Sequence, residues 1–265
     1  MDLAGTVEAV GRRIVAFREG DPVYGLAGGV GGLQGSLAEF AVVDADLLAP
    51  KPSRLTMREA AAIPLVFITA WEGLVDRVRI RASHKLLIHG AGGVGQMAIQ
   101  IAHVFGANVF AADRSAKRGL IESLGATAID SELTSVDSYV NDYTGGAGFD
   151  VIFGTIGGAA LDASFKAVRR FGHVVSSLGW GTHSLEPLSA RAGTYSGIFT
   201  LLPLLTGEGR AHHGEILRDA TRLAEAGRLT PLLDPRRYTL DTAAQAYLAL
   251  EQRTATGKVV MDIAD

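Results

Sequence analysis

The sequence contains no cysteine among its 265 residues. This absence excludes disulfide bonds, thiolate nucleophiles and every zinc site that uses cysteine ligands. No uninterrupted apolar run reaches about 18 residues, so no transmembrane helix is expected. The first residues also lack the charged-then-apolar layout of a signal peptide. We therefore expect a soluble, cytoplasmic protein.

Positive charge is not in excess either. Lysine and arginine number 25 against 28 aspartates and glutamates, which gives a formal net charge of −3. Such a balance offers neither a basic surface for nucleic acid nor a polybasic segment for an anionic membrane. Hydrophobic residues make up 48% of the chain and charged residues 20%, a composition typical of globular domains with a substantial core.

The middle of the chain alternates strand patterns with helical patterns. Strands are predicted at 85–89, 108–112, 126–130, 150–153 and 173–177, and helices at 94–105, 116–124, 135–143 and 159–169. Strands and helices that alternate at this spacing pair in parallel through right-handed crossovers. The predicted fold class is therefore α/β, with a doubly wound parallel sheet.

The two flanks of the chain have a different pattern. Residues 1–50 are predicted to form β structure, including two short strands within 36–49, with a glycine-dense loop at 25–36. A short helix is predicted after Ser53 as N-cap, ending at Pro64. The tail contains two amphipathic helices and a last strand in GKVVMDIA, and the His212-His213 pair is expected at a solvated helix start.

A glycine motif follows the first strand of the alternating region. Gly90, Gly92 and Gly95 spell G-x-G-x-x-G between that strand and a helix. The first glycine permits a tight turn, the second lets main-chain N–H groups approach a diphosphate, and the third lets helix and strand pack closely. The helix N-terminus adds a partial positive charge. The predicted diphosphate-binding turn consists of Gly90, Gly92, Gly93, Val94 and Gly95.

An acid completes the pattern of a dinucleotide site. Asp113 lies 18 residues beyond Gly95, at the end of the second predicted strand. Its carboxylate can accept hydrogen bonds from a ribose and would repel a 2′-phosphate, which favours NAD(H) over NADP(H). Arg114, Lys117 and Arg118 follow directly and could instead bind a phosphate, or they are solvated charges at the start of a helix. A purely structural turn and a methyltransferase site are the alternatives to a dinucleotide site.

Beyond the glycine turn, the chain resembles a known family in several segments. AAAIPLVFITAWEGL, LLIHGAGGVGQMAIQIAHVFGA, LGAT, FDVIFGTIGG and GKVVMDI follow the order and spacing of the medium-chain dehydrogenase/reductase superfamily. The similarity is greatest to its zinc-independent quinone oxidoreductases and enoyl reductases. It covers nearly the whole chain and disfavours the methyltransferase.

The resemblance implies two domains and further cofactor contacts. A GroES-like substrate domain would comprise residues 1–65 and 205–265, and a Rossmann dinucleotide-binding domain residues 66–204. The superfamily pattern also begins earlier than Met1, so we expect the substrate domain to be N-terminally incomplete. The implied contacts to the nicotinamide end are Thr69, Thr155, Ile156, Gly157, Leu178 and Gly179.

Zinc-dependent relatives carry metal ligands at positions where this chain has others. Met1 and Asp2 occupy the places of a His-Glu pair, and Leu65 occupies the place of a cysteine. We therefore expect no bound metal and no Lewis-acid step. The cofactor would supply the chemistry and the protein would orient the acceptor.

The resemblance predicts hydride transfer from NAD(P)H to a quinone or an α,β-unsaturated carbonyl. Candidates for stacking or proton donation are Trp180, His183 and Tyr195. A homodimer is expected through the sheet edge, with residues 194–205 as the edge strand. The alternative is a truncated relative that binds the dinucleotide with little or no turnover.

Overall fold

A computed structural model describes residues 1–263 as two compact units. One unit comprises Met1–Ile68 together with the chain from Thr200 onward, and the other comprises Thr69–Phe199. These boundaries lie within five residues of those inferred from the resemblance. The assignment of a substrate role to one unit and a dinucleotide role to the other stays a prediction. Ala264 and Asp265, which belong to the predicted last domain segment, lie outside the described residues.

The secondary structure of residues 1–263 is as follows. The strands are β1 Asp2–Thr6, β2 Pro22–Leu26, β3 Leu48–Pro50, β4 Lys85–His89, β5 Asn108–Asp113, β6 Thr127–Asp130, β7 Phe149–Gly154, β8 Val168–Ser176, β9 Thr194–Gly197, β10 Tyr238–Thr239 and β11 Met261–Asp262. The helices are α1 Met57–Ala61, α2 Pro64–Trp71, α3 Gly93–Val104, α4 Arg118–Ser123, α5 Val136–Thr144, α6 Ala159–Ala167, α7 Glu186–Ser189, α8 Leu202–Thr206, α9 Arg210–Glu225 and α10 Ala243–Glu251. A π-helical segment, Glu72–Arg77, continues α2.

A six-stranded parallel sheet forms the Thr69–Phe199 unit. Its strand order is β6-β5-β4-β7-β8-β9, and every pairing is parallel. Counted from the first strand of the sheet, the order is 3-2-1-4-5-6, the doubly wound Rossmann arrangement. The predicted α/β fold class is thus confirmed. The order reverses between β4 and β7, and such sheets bind ligands beyond the carboxyl ends of the strands at that point.

The apolar strand patterns explain this sheet. Leu87, Phe149 and Ile152 are fully buried and pack with Phe165 of α6. Strands that are covered by helices on both faces consist of nearly continuous apolar residues, as these do. Burying each such side chain contributes about 1.5–3 kcal/mol. The helix α5 is bounded as its sequence predicts, because Ser135 Oγ accepts the Ser138 N–H at 3.2 Å and Gly145 ends it at φ 61°.

The other unit contains a small antiparallel sheet, β1-β2-β3, and a two-stranded parallel pair, β10-β11. Tyr24 of β2 is fully buried, and its hydroxyl donates to the Leu217 carbonyl of α9 at 2.6 Å. Burial raises the pKa of Tyr24, so the phenol stays protonated. This hydrogen bond ties the sheet to the amphipathic helix α9, as expected of a buried tyrosine.

Two predictions around the first helices are wrong. The N-cap of α1 is Thr56, which forms a capping box with Glu59, whereas Ser53 donates its hydroxyl to Glu225 at 3.0 Å. Pro64 does not end a helix but begins α2. Proline fits the first turn of a helix because the N–H that it lacks has no partner there.

Further predictions need correction in both flanks. Residues 36–44 form no strand, and of the two short strands predicted within 36–49 the structure has one, β3. The edge strand β9 has four residues, and Leu202–Thr206 form α8, with proline in its first turn. His213 is fully buried rather than solvated. The homodimer through β9 stays a prediction.

Candidate active site

The glycine motif forms the turn from β4 into α3. Gly90 has φ +100°, a conformation that side chains rarely adopt. A Cβ on Gly95 would lie 1.9 Å from the Gly90 carbonyl oxygen, so only glycine allows the helix to approach the strand this closely. Gly92 is exposed, and a Cβ on it would have nothing within 4 Å. The three glycines therefore serve three different geometric needs.

The first turn of α3 has main-chain N–H groups with no acceptor among the described residues. The first hydrogen bond into the helix is from Gln96 N–H to the Gly92 carbonyl at 2.9 Å. Gly92 caps the helix without a side-chain hydrogen bond. Within residues 1–263, the N–H groups of Gly93, Val94 and Gly95 have no hydrogen-bond acceptor. Three N–H groups at a helix N-terminus, next to a glycine with open space at its Cβ position, suit the binding of a dinucleotide diphosphate.

Asp113, at the end of β5, holds the glycine turn. Its Oδ2 accepts the Ala91 N–H at 2.7 Å, and its Oδ1 accepts the Arg114 N–H at 2.7 Å. Both carboxylate oxygens are thus already engaged by the main chain. The hydrogen bonds that Asp113 is expected to accept from a ribose stay a prediction. In the structure, Asp113 also stabilises the glycine turn through the Ala91 N–H.

Cationic side chains follow Asp113. Arg114 is exposed and Lys117 is half-buried, and within residues 1–263 neither side-chain cation has an ion-pair or hydrogen-bond partner. Arg118, by contrast, pairs with Glu122 at 3.3 Å on the same helix. Two cationic groups without partners therefore lie directly after the second strand of the sheet.

The loop after β7 packs against the glycine turn. Thr155 Oγ1 donates to the His89 carbonyl at 2.9 Å and lies 3.2 Å from the Gly90 carbonyl. A Cβ on Gly90 would be 2.8 Å from Ile156 Cγ1, so the Ile156 side chain lies against the turn. Gly157 has φ +77°. The structure thus brings Thr155 and Ile156 to the predicted cofactor turn.

The loop after β8 lies beside the loop after β7. A Cβ on Gly157 would lie 2.5 Å from the Leu178 carbonyl oxygen, and one on Gly179 would lie 2.1 Å from the Tyr195 hydroxyl. Burial raises the pKa of the Tyr195 phenol, and a hydrogen bond with Ser176 opposes this shift. The Tyr195 hydroxyl thus lies against Gly179 in the loop after β8.

His183 forms a bridge between this loop and α6. Its Nδ1 lies 2.8 Å from Asp162 Oδ1, and its Nε2 lies 3.3 Å from the Trp180 carbonyl oxygen. Because both neighbours accept hydrogen bonds, the protonated imidazole satisfies both contacts, and the hydrogen bond to Asp162 raises the pKa of His183. Trp180 is largely exposed. Thr69 is buried on α2, and its contact to a nicotinamide stays a prediction.

A buried polar network below the turn was not predicted from the sequence. His89 Nδ1 lies 2.8 Å from Ser164 Oγ and 3.1 Å from the Ala160 carbonyl, and Tyr139 OH lies 3.3 Å from His89 Nε2. Ser164 gives its own proton to Ala160, so Nδ1 carries a hydrogen and Nε2 accepts from Tyr139. Burial lowers the pKa of His89 to about 4. The His89 side chain therefore joins β4 to α5 and α6.

Comparisons with known proteins agree with this geometry. Residues 124–261, just over half of the chain, match the family described as zinc-binding dehydrogenase. The chain belongs to the medium-chain dehydrogenase/reductase superfamily. It is 35% identical over 268 residues to the NADPH-dependent alkenal/one oxidoreductase of Arabidopsis thaliana, a chloroplastic protein. It is also 35% identical over 268 residues to 2-methylene-furan-3-one reductase of Solanum lycopersicum.

Solved structures of the superfamily have the same fold. An alcohol dehydrogenase superfamily protein from Novosphingobium aromaticivorans is 54% identical, with a TM-score of 0.97, and the match covers 100% of this chain and 81% of that one. CurK enoyl reductase is 27% identical, with a TM-score of 0.84 and coverage of 99% and 78%. The alignments with the two plant reductases cover 98% of this chain, which spans 62% of the length of each of them. The superfamily's NAD(P)-binding Rossmann fold is thus present.

The zinc in the family description does not match the residues at the corresponding positions. Asp2 Oδ1 accepts the Leu65 N–H at 3.0 Å, and Asp2 Oδ2 lies 3.6 Å from the Lys258 ammonium group. With methionine, aspartate and leucine in place of histidine, glutamate and cysteine, the donor set lacks the nitrogen and sulfur ligands of such a site. Within residues 1–263, no group of three or more His, Cys, Asp or Glu could hold a metal. Zinc independence stays a prediction.

Membrane insertion through a helix has no support in the structure. In residues 1–263, every helix is too short or too polar to span a bilayer. The cytoplasmic location stays a prediction.

Proposed function

We propose that the protein is an NAD(P)H-dependent reductase that saturates a carbon–carbon double bond conjugated to a carbonyl. The observation that carries the proposal is the glycine turn, where the N–H groups of Gly93, Val94 and Gly95 have no acceptor within residues 1–263 and the Cβ position of Gly92 is open. Similarity to an alkenal/one oxidoreductase and to an enoyl reductase supports the acceptor class. The resemblance also names a quinone as acceptor, and a quinone is therefore tested beside the enone in the experiment below.

The protein's own residues would bind and orient both reactants. When bound, a reduced nicotinamide supplies the hydride, and a proton must then reach the adjacent carbon of the acceptor. Main-chain N–H groups of α3 bind the diphosphate, and Ile156 lies against the turn. His183 and Tyr195 are candidate proton donors because each holds a proton on an atom next to the loop after β8.

Turnover with defined acceptors tests the proposal. Purified protein is mixed with NADPH and a conjugated enone, and loss of reduced-nicotinamide absorbance is followed with and without EDTA. We expect oxidation with the enone, none with the saturated ketone, and no effect of EDTA, because the residues at the zinc positions form no zinc donor set. A quinone in place of the enone separates the two acceptor classes. Absence of oxidation with every acceptor would contradict the proposal.

A cofactor-binding protein without turnover is the second candidate function. It is favoured by the engagement of both candidate proton donors, because His183 is bonded to Asp162 and Tyr195 to Ser176. Thermal unfolding distinguishes the two functions. A cofactor at 100 times its Kd stabilises the folded state by about 2.7 kcal/mol. Stabilisation by NADPH without oxidation of NADPH by any acceptor would support the second function.

NADP(H) is the cofactor that we propose, although Asp113 by itself favours NAD(H). Both oxygens of Asp113 are engaged by main-chain donors, whereas the cations of Arg114 and Lys117 have no partner in the described residues. An additional phosphate near the end of β5 would therefore meet positive charge that is not neutralised. The chain's similarity to an NADPH-dependent relative supports this choice.

Removing these two cations should change the preference between cofactors. In the Arg114→Ala/Lys117→Ala double variant, the KM for NADPH should rise about tenfold or more, because a charge-assisted hydrogen bond contributes about 1.5–3 kcal/mol. The KM for NADH should change little. Arg118→Ala is the matched control, since Arg118 already pairs with Glu122. An equal loss for both nucleotides, or a wild-type preference for NADH, would contradict the assignment.

A further inference from the structure

A cavity of about 280 Å³ lies at the amino ends of β7 and β8, within the Thr69–Phe199 unit. Three cationic side chains line it, from Lys166, Arg170 and Arg191, and none of the lining residues described is acidic. We call this cavity the basic pocket. Its volume is close to the lower end of the range for small-molecule sites, roughly 300–1,000 Å³. The pocket therefore suits a small ligand of negative charge.

Two of the three cations have no partner among the described residues. Lys166 lies in the last turn of α6 and Arg170 on β8, and within residues 1–263 neither side chain forms an ion pair or a hydrogen bond. One N–H of the Arg191 guanidinium donates to the Pro187 carbonyl at 2.9 Å, which leaves its other donors available. Cations that share one cavity repel each other, and an anion placed among them removes that repulsion.

Helix capping explains at most one of these cations. Cationic side chains near a helix C-terminus can bond its last carbonyl groups. At the end of α5, however, the Asn141 carbonyl accepts the Gly145 N–H at 2.9 Å and the Val140 carbonyl accepts the Gly146 N–H at 3.4 Å. The dipole of α6 favours a cation in its last turn, where Lys166 lies. The positions of the two arginines have no such explanation.

Main-chain contacts hold the walls of the basic pocket in place. Gly148 has φ +89°, and a Cβ on it would lie 2.6 Å from the Arg169 main-chain nitrogen. The turn before β7 therefore packs closely on β8. On another side of the pocket, the Phe171 N–H donates to the Arg191 carbonyl at 2.8 Å. A pocket formed by fixed segments binds a ligand with a smaller loss of conformational entropy than a mobile one.

We propose that the basic pocket binds the phosphate group of a small phosphorylated molecule. A phosphate monoester carries about −1.5 to −2 charges and three acceptor oxygens on one centre. Arginine matches such a group with paired N–H donors, and lysine matches it as a compact charge. These are the two kinds of cation that line the pocket. The phosphate is therefore the occupant that fits.

The basic pocket is separate from the cofactor turn. The strand β7 begins at Phe149, directly after the pocket residue Gly148, and ends at Gly154, directly before the loop that packs against the glycine turn. Its six residues span about 17 Å. Because the two sites lie at opposite edges of the sheet, the inference does not rest on the proposed function.

Calorimetric titration with inorganic phosphate tests the pocket. The protein is first saturated with NADPH, so that phosphate does not compete for the site assigned to the cofactor, and NaCl keeps the ionic strength constant. We expect saturable binding of one phosphate per chain. Absence of saturable binding would overturn the inference, and equal affinity for succinate would overturn the assignment to phosphate. Phosphate binding by a protein that does not bind NADPH would contradict the proposed function alone.

Removing the two unpaired cations should weaken phosphate binding. Lys166→Ala/Arg170→Ala should raise the Kd for phosphate about 10- to 100-fold, at about three- to tenfold for each charge-assisted contact. Arg12→Ala/Arg13→Ala is the matched control, because it removes the same charge from two exposed side chains of the other unit. The control should keep wild-type affinity. Equal weakening in both double variants would show an effect of net charge and would overturn the inference.

A second variant keeps every cation and blocks the site. Ala190 is exposed and lines the basic pocket, so Ala190→Glu adds a carboxylate among the cations. Its side chain should pair with them and abolish measurable phosphate binding, while thermal unfolding should show a melting temperature equal to or above that of the wild type. Wild-type phosphate affinity in Ala190→Glu would place the bound phosphate elsewhere and overturn the inference.

Discussion

Replacing Gly92 with leucine should weaken cofactor binding about 100-fold or more while the fold survives. The Cβ position of Gly92 meets nothing within 4 Å, and Gly92 φ is −74°, so leucine fits the backbone. Its side chain would stand above the N–H groups that we assign to the diphosphate. Loss of two charge-assisted hydrogen bonds, at about 1.5–3 kcal/mol each, accounts for the expected weakening.

The experiment compares Gly92→Leu with Gly119→Leu. Gly119 is also exposed and also has nothing within 4 Å of its Cβ position, but it lies on α4. Calorimetric titration with NADPH should give wild-type affinity for the Gly119 variant and a Kd about 100-fold or more higher for the Gly92 variant. Thermal unfolding checks that both remain folded, with a cost of up to about 1 kcal/mol for leucine at the N-cap. Wild-type affinity in Gly92→Leu would exclude a diphosphate site at this turn.

Local sequence patterns predict the Rossmann unit well because its elements are long and strongly patterned. The strand β4 has the predicted bounds, Lys85–His89. The glycine turn is predictable for a related reason, since the Cβ position of Gly95 meets Gly90 in the same turn and Gly90 itself has a positive φ. The contact of Gly90 with Thr155 and Ile156 is not local in the chain. A sequence pattern predicts a structural feature when the contacts that determine the feature join residues close together in the chain.

Contacts between distant segments were not predictable in this way. His89 is bonded to Ser164 and to Tyr139, which lie 75 and 50 residues away, and no periodicity relates such positions. Likewise, Asp162 could not be paired with His183 from the sequence, because the contact depends on how α6 packs beside the loop after β8. Thr155 and Leu178 were assigned to the nicotinamide end through the family resemblance alone, and this assignment stays a prediction.

Short elements caused most of the errors, because competing local signals decide them. Ser53 and Thr56 both have N-cap chemistry, and the glutamate three residues after Thr56 decides between them by completing the capping box. Pro64 can end one helix or begin the next, and here α1 ends at Ala61 before α2 begins. A capping-box search would have found Thr56, whereas burial of His213 depends on tertiary packing.

Replacing Gly95 with alanine should destabilise the protein, although alanine favours helices. The new Cβ would lie 1.9 Å from the Gly90 carbonyl oxygen and 2.9 Å from its carbon. Gly90 cannot move away freely, because its N–H donates to the Ala112 carbonyl at 3.0 Å and Thr155 Oγ1 lies 3.2 Å from its carbonyl oxygen. Overpacking of this kind costs about 1–3 kcal/mol and occasionally more, which exceeds the gain of about 1 kcal/mol in helix propensity.

Gly119→Ala is the control, because it makes the same change on a helix with open space around the new methyl group. Its melting temperature should stay equal or rise slightly, since alanine in an exposed helix is favoured by up to about 1 kcal/mol. Gly95→Ala should melt roughly 2–12 °C lower than this control, because overpacking costs about 1–3 kcal/mol at about 2–4 °C per kcal/mol. Equal melting temperatures for the two variants would show that α3 can move away from β4, and the close approach assigned to Gly95 would then be wrong.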